Sequence, residues 1–211
     1  MKTSNIIITA IVLFFFAISL TAMIEIRNEQ DENNETNLTE KEFFIKKPYS
    51  VILIKGGDVE IKSGDKNKIF CSNDNNDYII ENDTLIVNAD KKVRIITKEV
   101  KSISSESGNY TKLVDLNYGN ISIKLKNKSI LDLDECNFDT LYVKLENSSL
   151  NSISKNKVKY FYIESDNSRI FTFIKTKKCK IKYRNKSRVT IGKSEKLEVK
   201  DEDYSCYLNV R

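Results

Sequence analysis

The residues of this chain with a capacity for chemistry are few, and they are charged rather than nucleophilic. Histidine is absent from all 211 residues. That removes the commonest general base, the commonest metal ligand and every Ser-His or Cys-His nucleophile. Two acidic clusters, Asp132/Asp134/Glu135 and Asp201/Glu202/Asp203, have the composition of a calcium site or an acid–base pair. A repeat of about twenty residues, described below, sets Asn151, Ser152 and Ser154 beside the first cluster, so no ladder of carboxylates forms and a solvated face is the simpler reading. The loop Asn73-Asp74-Asn75-Asn76-Asp77 is rich in oxygen ligands but lacks the glycine and the distal glutamate of a calcium loop. Cys71, Cys136, Cys179 and Cys206 lie far apart with no CxxC pair, which argues against a zinc site and against a disulfide scaffold. Cys179 falls near an apolar column and reads as a buried thiol; a disulfide with Cys206 stays open as the alternative. No catalytic residue, metal or cofactor is expected.

What remains is basic. Lys175, Lys177, Lys178, Lys180, Lys182, Arg184, Lys186 and Arg188 crowd two successive repeats, with Tyr160, Tyr162 and Tyr183 nearby. From these, Lys178, Lys180, Lys182, Arg184, Lys186 and Arg188 form the candidate patch for an anionic ligand. For an exported chain the fitting partners are an anionic glycan, lipid headgroups or another envelope surface, and no nucleic acid is expected. The competing reading is again a merely solvated face.

These side chains must be positioned by the stretch 121–199. It reads ISIKLKNKSILDLDECNFDT, LYVKLENSSLNSISKNKVKY, FYIESDNSRIFTFIKTKKCK and IKYRNKSRVTIGKSEKLEV, the last copy a residue or two short. Asn127, Asn147 and Asn167 recur one repeat apart. Three apolar columns are expected: Ile130/Leu150/Ile170/Val189, Leu133/Ile153/Phe173/Ile191 and Leu141/Phe161/Ile181/Val199. A period of about twenty with alternation inside each copy predicts stacked coils, the inward columns forming a core that no single coil could make. The asparagines suit the left-handed conformations of sharp corners, and their amides can bond to the next coil. Ahead of the repeats, SVILIKGGDVEIKSGDKNKIFCS predicts three strands with turns at Gly56-Gly57 and Ser63-Gly64-Asp65, and YIIENDTLIV predicts a hairpin turning at Asn82-Asp83. No window sustains a 3.6-residue apolar period, so the body reads as all-β.

The ends differ from the body. Residues 6–24 are apolar except for Thr9, Ser19 and Thr21, long enough at helical rise to cross a hydrocarbon core of roughly 30 Å. Residues 1–24 therefore read as a hydrophobic helix, either a signal peptide, with Ala17-Ile18-Ser19 as a cleavage site, or an uncleaved membrane anchor. Lys2 precedes the run while Glu25, Glu29, Asp31 and Glu32 follow it, the polarity of an exported body. Residues 25–42 are an acidic flexible tether, too polar to offset the entropy of ordering. The overall charge of +5 thus hides a strongly basic domain over 43–211.

SVILIKGGDVEIKSGD, then DYIIENDTLIV, then the strand pairs after Gly119 resemble the head GIN domain family of "putative autotransporter adhesins", exported β-helix proteins of Bacteroidetes. The resemblance covers about 43–200, with corners of asparagine where that family tends to have Gly-Ser-Gly. It implies a right-handed parallel β-helix in an exported protein, and it brings no catalytic residues. The expected function is a non-enzymatic domain for cell-surface interaction or adhesion, membrane-anchored on the periplasmic or extracellular side, or secreted if the signal is cleaved. A carbohydrate-processing enzyme on the same scaffold and an envelope structural or sensing protein are the alternatives.

Overall fold

The computed structural model describes residues 41–71, 77–202 and 206–211. The apolar segment 1–24, the tether up to residue 40, residues 73–76 of the acidic loop and Asp203 lie outside the described residues. Among the described residues no helix is long and apolar enough to cross a membrane.

The chain opens with β1 (Lys41–Phe44), β2 (Val51–Gly56), β3 (Val59–Ser63), β4 (Lys68–Cys71), β5 (Tyr78–Glu81), β6 (Thr84–Asn88) and β7 (Val93–Thr97). β8 (Ser102–Ser105) and β9 (Tyr110–Val114) lead into five regular coils, each a longer strand followed by a short one. These are β10 (Asn117–Lys126) with β11 (Ile130–Asp134), β12 (Asn137–Glu146) with β13 (Ser149–Ser152), and β14 (Lys157–Asp166) with β15 (Arg169–Thr172). The last two are β16 (Thr176–Arg184) with β17 (Arg188–Ile191), and β18 (Ser194–Asp201) with β19 (Tyr207–Val210). The longer strands pair in parallel into one sheet and the short ones into a second. The fold is the expected parallel β-solenoid with coils of about twenty residues. The strand–turn–strand opening and the Asn82-Asp83 hairpin also stand where the sequence places them, with Asn82 left-handed at φ 52°. β1 starts two residues inside the stretch read as tether.

The apolar columns are correct in kind and partly wrong in membership. Leu131, not Ile130, stacks on Leu150 and Ile170; Ile130 is exposed. In the second column Leu133 and Ile191 are buried, but Ile153 and Phe173 face solvent, and the buried Ser152 and Thr172 take the inward offset. In the third, Phe161 stacks on Cys179, while Ile181 belongs with Ile163 and Val199. The cause lies in the corners. Asn147 and Asn167 turn the chain with one left-handed residue each, at φ 51° and 45°. Asn127-Lys128 and Asn185-Lys186 use two each, so the strand after them is displaced by one residue, and a one-residue displacement turns every side chain over. The return from β15 to β16 is also two residues shorter than the return from β13 to β14: Ser152 pairs with Thr172, whereas Lys157 bridges Lys175.

Each corner carries a second element. Ser129, Ser148, Ser168 and Ser187 are buried and donate to the carbonyls of Lys126, Glu146, Asp166 and Arg184 at 2.6–2.9 Å. Their hydroxyls also accept between coils: the Ser148 N–H reaches Ser168 Oγ at 3.0 Å. Outside them, Asn167 Nδ2 donates to Asn147 Oδ1 at 2.7 Å, the inter-coil amide bond expected of these asparagines. At the opposite edge, the buried Asn156 accepts the Cys136 N–H at 2.7 Å and donates to Leu133 O at 3.0 Å and Ser152 Oγ at 2.8 Å. Cys136 and Cys179 are free thiols. Cys179 is buried as expected, and burial pushes its thiol up to about 12 and that of Cys136 to about 11.

The order of the stack departs from the order of the chain. β2 lies between β6 and β8, and β3 lies between β7 and β9. The first coil therefore sits inside the stack, and the chain leaves it, builds β6 and β7 on one side, then crosses it to build β8 and β9 on the other. The Gly56-Gly57 turn belongs to this crossing region: Gly57 has φ +80°, and a Cβ there would fall 2.8 Å from the carbonyl oxygens of Ala89 and Lys91. Beyond β6 and β7 the stack is closed by antiparallel strands, β5 on β6, β4 on β7 and β1 on β4. Reversed direction and charged partners such as Lys68–Glu42 at 2.6 Å blunt this edge.

Candidate functional site

In β16 the burial alternates, so Lys178, Lys180, Lys182 and Arg184 all project from the outer face of the longer-strand sheet. Lys186 sits in the left-handed corner and Arg188 begins β17 in the other sheet, so the sequence-predicted patch divides into four residues on one face and two off it. Three of the four are neutralised. Lys178 lies 3.0 Å from Glu198, Lys182 3.3 Å from Glu202, and Arg184 2.7 Å from Asp166. Hydrogen bonds from Lys178 and then Lys196 hold the Glu198 carboxyl below its usual range. Such exposed pairs contribute little stability, but they fix charges in place. Lys180 has no ion pair among the described residues.

Neighbouring coils complete the face. Ser122, Tyr142, Tyr162 and Lys180 form one outward column, and Lys124, Lys144, Glu164, Lys182 and Lys200 form the next. The rings of Tyr142 and Tyr162 stack with centroids 4.7 Å apart and planes 12° apart. A groove of about 540 Å³ runs over them, lined by Ser122, Val143 and Ile163 and by four lysines (Lys144, Lys180, Lys182, Lys200) against one glutamate, Glu164. A second groove of about 710 Å³ shares Ser122 and Tyr142 and continues past Gly119, Asn120 and Tyr118. Ser122 is small and so leaves the Tyr142 ring open on that side. An exposed aromatic pair bordered by excess lysine can stack a flat sugar ring and pair with a carboxylate or sulfate on it. Tyr142, Lys144 and Lys200 were not singled out in the sequence, although Tyr142 and Tyr162 stand one coil apart. Of the other aromatic residues, Tyr160 lies outward beside Lys178, with Lys159 over its ring, while Tyr183 points into the core.

The acidic clusters take part in no shared centre. The Tyr110 hydroxyl donates to Asp132 at 2.5 Å, and burial followed by that bond raises its pKa to about 12. Lys112 lies 3.0 Å from Asp134 and, with Ser154, holds that carboxyl below its usual range. Glu135 occupies a left-handed corner at φ 54°. Glu202 is shared by Lys182 and Lys200. Among the described residues no three carboxylates or thiols gather as metal ligands do.

No protein-family model and no curated protein sequence matches the chain. Solved structures do share the fold. A "putative adhesin" from Parabacteroides merdae aligns with TM-score 0.54 at 12% identity, covering 81% of this chain and 95% of that one. A "putative lipid binding protein" from Parabacteroides distasonis aligns with TM-score 0.53 at 14% identity, covering 81% and 96%. A "putative adhesin" from Bacteroides fragilis aligns with TM-score 0.54 at 12% identity, covering 81% and 95%. At these identities the likeness is one of fold.

Proposed function

We propose that this chain is an exported, non-enzymatic β-helix domain of the head GIN type that binds anionic glycan on a cell or envelope surface through the Tyr142–Tyr162 face. The observation that carries the reading is the stacked tyrosine pair set in an open groove beside Lys180, which has no ion pair among the described residues. A flat, ridged surface with aromatic platforms and fixed cations suits a repeating polymer better than a small substrate, which needs enclosure. Glu164, Asp166, Glu198 and Glu202 on this face are each held by a lysine or arginine, which supports binding over acid–base chemistry. Residues 1–24 serve as signal or anchor and 25–42 as the acidic spacer, so that the domain 43–211 stands on the outer side of a membrane, anchored or released. The adhesin names borne by two fold neighbours agree with this role.

The test is a titration against uronic-acid and sulfated polysaccharides, with phospholipid vesicles as a separate arm. Tyr142→Ala and Lys180→Glu should each weaken glycan binding at least about tenfold, roughly 1.4 kcal/mol. Arg188→Glu, on the other sheet, should leave it unchanged. Binding indifferent to Lys180→Glu would discard the face as the site.

A further inference from the structure

The two ends of the solenoid are built differently. Antiparallel strands close the β6/β7 end, but the β18/β19 end exposes two parallel edge strands with no cap among the described residues. The inward columns run out there uncovered. Cys179 and Ile181 are 1% and 0% exposed, whereas Leu197 and Val199, their successors in the same columns, are 36% and 42% exposed. On the second sheet, buried Ile191 is followed by Val210 at 45%. Above this apolar rim, the outward row of β18 reads Lys196, Glu198, Lys200, and Glu202 follows just past the strand's end, with charges alternating in sign.

We infer that the β18/β19 end is a self-association surface and that its occupant is a second copy of this chain, related by a two-fold axis normal to the sheets. A two-fold axis pairs β18 antiparallel with its own copy, and an alternating row is then self-complementary. With Val199 on the axis, Glu198 faces the partner's Lys200 and Lys196 faces the partner's Glu202, each twice by symmetry. With Leu197 on the axis, Lys196 faces the partner's Glu198. The intermediate register sets Glu198 against the partner's Glu198 and Lys196 against the partner's Lys200, so charge selects between registers. The existing ion pairs do not prevent this: Glu198 and Glu202 are held by Lys178 and Lys182 of the preceding coil, and Lys196 and Lys200, which pair with Glu198 and Glu202 along the edge at 3.3 and 3.5 Å, keep most of their side chains in solvent. Association continues both sheets and both core columns across the axis. It also sets two tyrosine faces on one continuous sheet, five strand spacings or about 24 Å apart.

The experiment is sedimentation of the full chain in mild detergent with two row variants. Lys196→Glu/Lys200→Glu makes the row entirely acidic, and Glu198→Lys/Glu202→Lys makes it entirely basic. The wild type should sediment as a dimer, each variant alone as a folded monomer by circular dichroism, and their equimolar mixture as a dimer again. Recovery on mixing cannot arise from a misfolded variant. A wild type that stays monomeric at all concentrations overturns the inference and leaves the rim to a different partner. A dimer that survives in the acidic variant overturns it as well, and assigns association to another surface such as residues 6–24.

Discussion

Ile170→Asp is expected to unfold the coils around it, while Lys175→Asp, five residues away, leaves the melting profile unchanged. Ile170 is fully buried between Leu150 and Val189 in the register of the short-strand sheet. A carboxylate there has no cation within the core, and an uncompensated buried charge costs several kcal/mol. Domains of this kind hold only about 5–15 kcal/mol in total, so a loss of about 4 kcal/mol or more removes most of the margin. Because each coil rests on its neighbours, the damage spreads from one layer to the next. Lys175 is exposed, and its bridge to Lys157 is made by the backbone. Urea unfolding of both variants makes the comparison, and equal midpoints would refute the stacking order described for β13, β15 and β17.

Asn156→Leu is the second substitution with a large expected cost, about 3 kcal/mol. The side chain is one of the few buried amides, and its bonds to Cys136, Leu133 and Ser152 close the return edge between two coils. Leucine matches its size but orphans the Cys136 N–H, at about 1–3 kcal/mol for a buried backbone group left unpaired, and it takes one of two donors from the Leu133 carbonyl, which keeps the Ser154 hydroxyl at 2.9 Å. Asn156→Asp should fall between leucine and the wild type, since it still accepts from Cys136 but faces the Leu133 carbonyl without a proton to give. If the aspartate variant is no better than leucine by thermal unfolding, the acceptor bond to Cys136 is not the part that matters.

The two substitutions mark what the sequence could and could not reveal. Ile170 belongs to a column visible as a repeat, because period and alternation together determine which face of a strand is buried. The columns take Ile130 where Leu131 belongs and Ile181 where Cys179 belongs, since a fixed count of twenty cannot register a corner of two left-handed residues or a shortened return. Asn156 carries no periodic signal at all: it occurs in a single coil, and its meaning lies in backbone groups twenty residues away. The site was legible to the same extent. Lys178, Lys180, Lys182 and Arg184 were found because charge on alternate residues of one strand is a local pattern. Tyr142, Lys144 and Lys200 join them only through inter-strand pairing, and Arg188 leaves them because the corner at Asn185-Lys186 carries it to the other sheet.

The burial of the β2/β3 layer inside the stack has a consequence for how the chain comes together. The first coil to be synthesised is flanked on both sides by segments made later, β6 and β7 on one side, β8 and β9 on the other. Until those arrive, its two strands have no parallel partner. Each coil from β10 onward instead meets a finished edge as it emerges and can be laid down on that template. Residues 51–114 are thus expected to act as the slow, long-range nucleus and 117–210 as growth by addition. In pulse-labelling hydrogen exchange, amides of β2 and β3 should gain protection together with those of β6–β9 rather than before them. Birth order and stacking order diverge at one place only, and that place decides when the rest can begin.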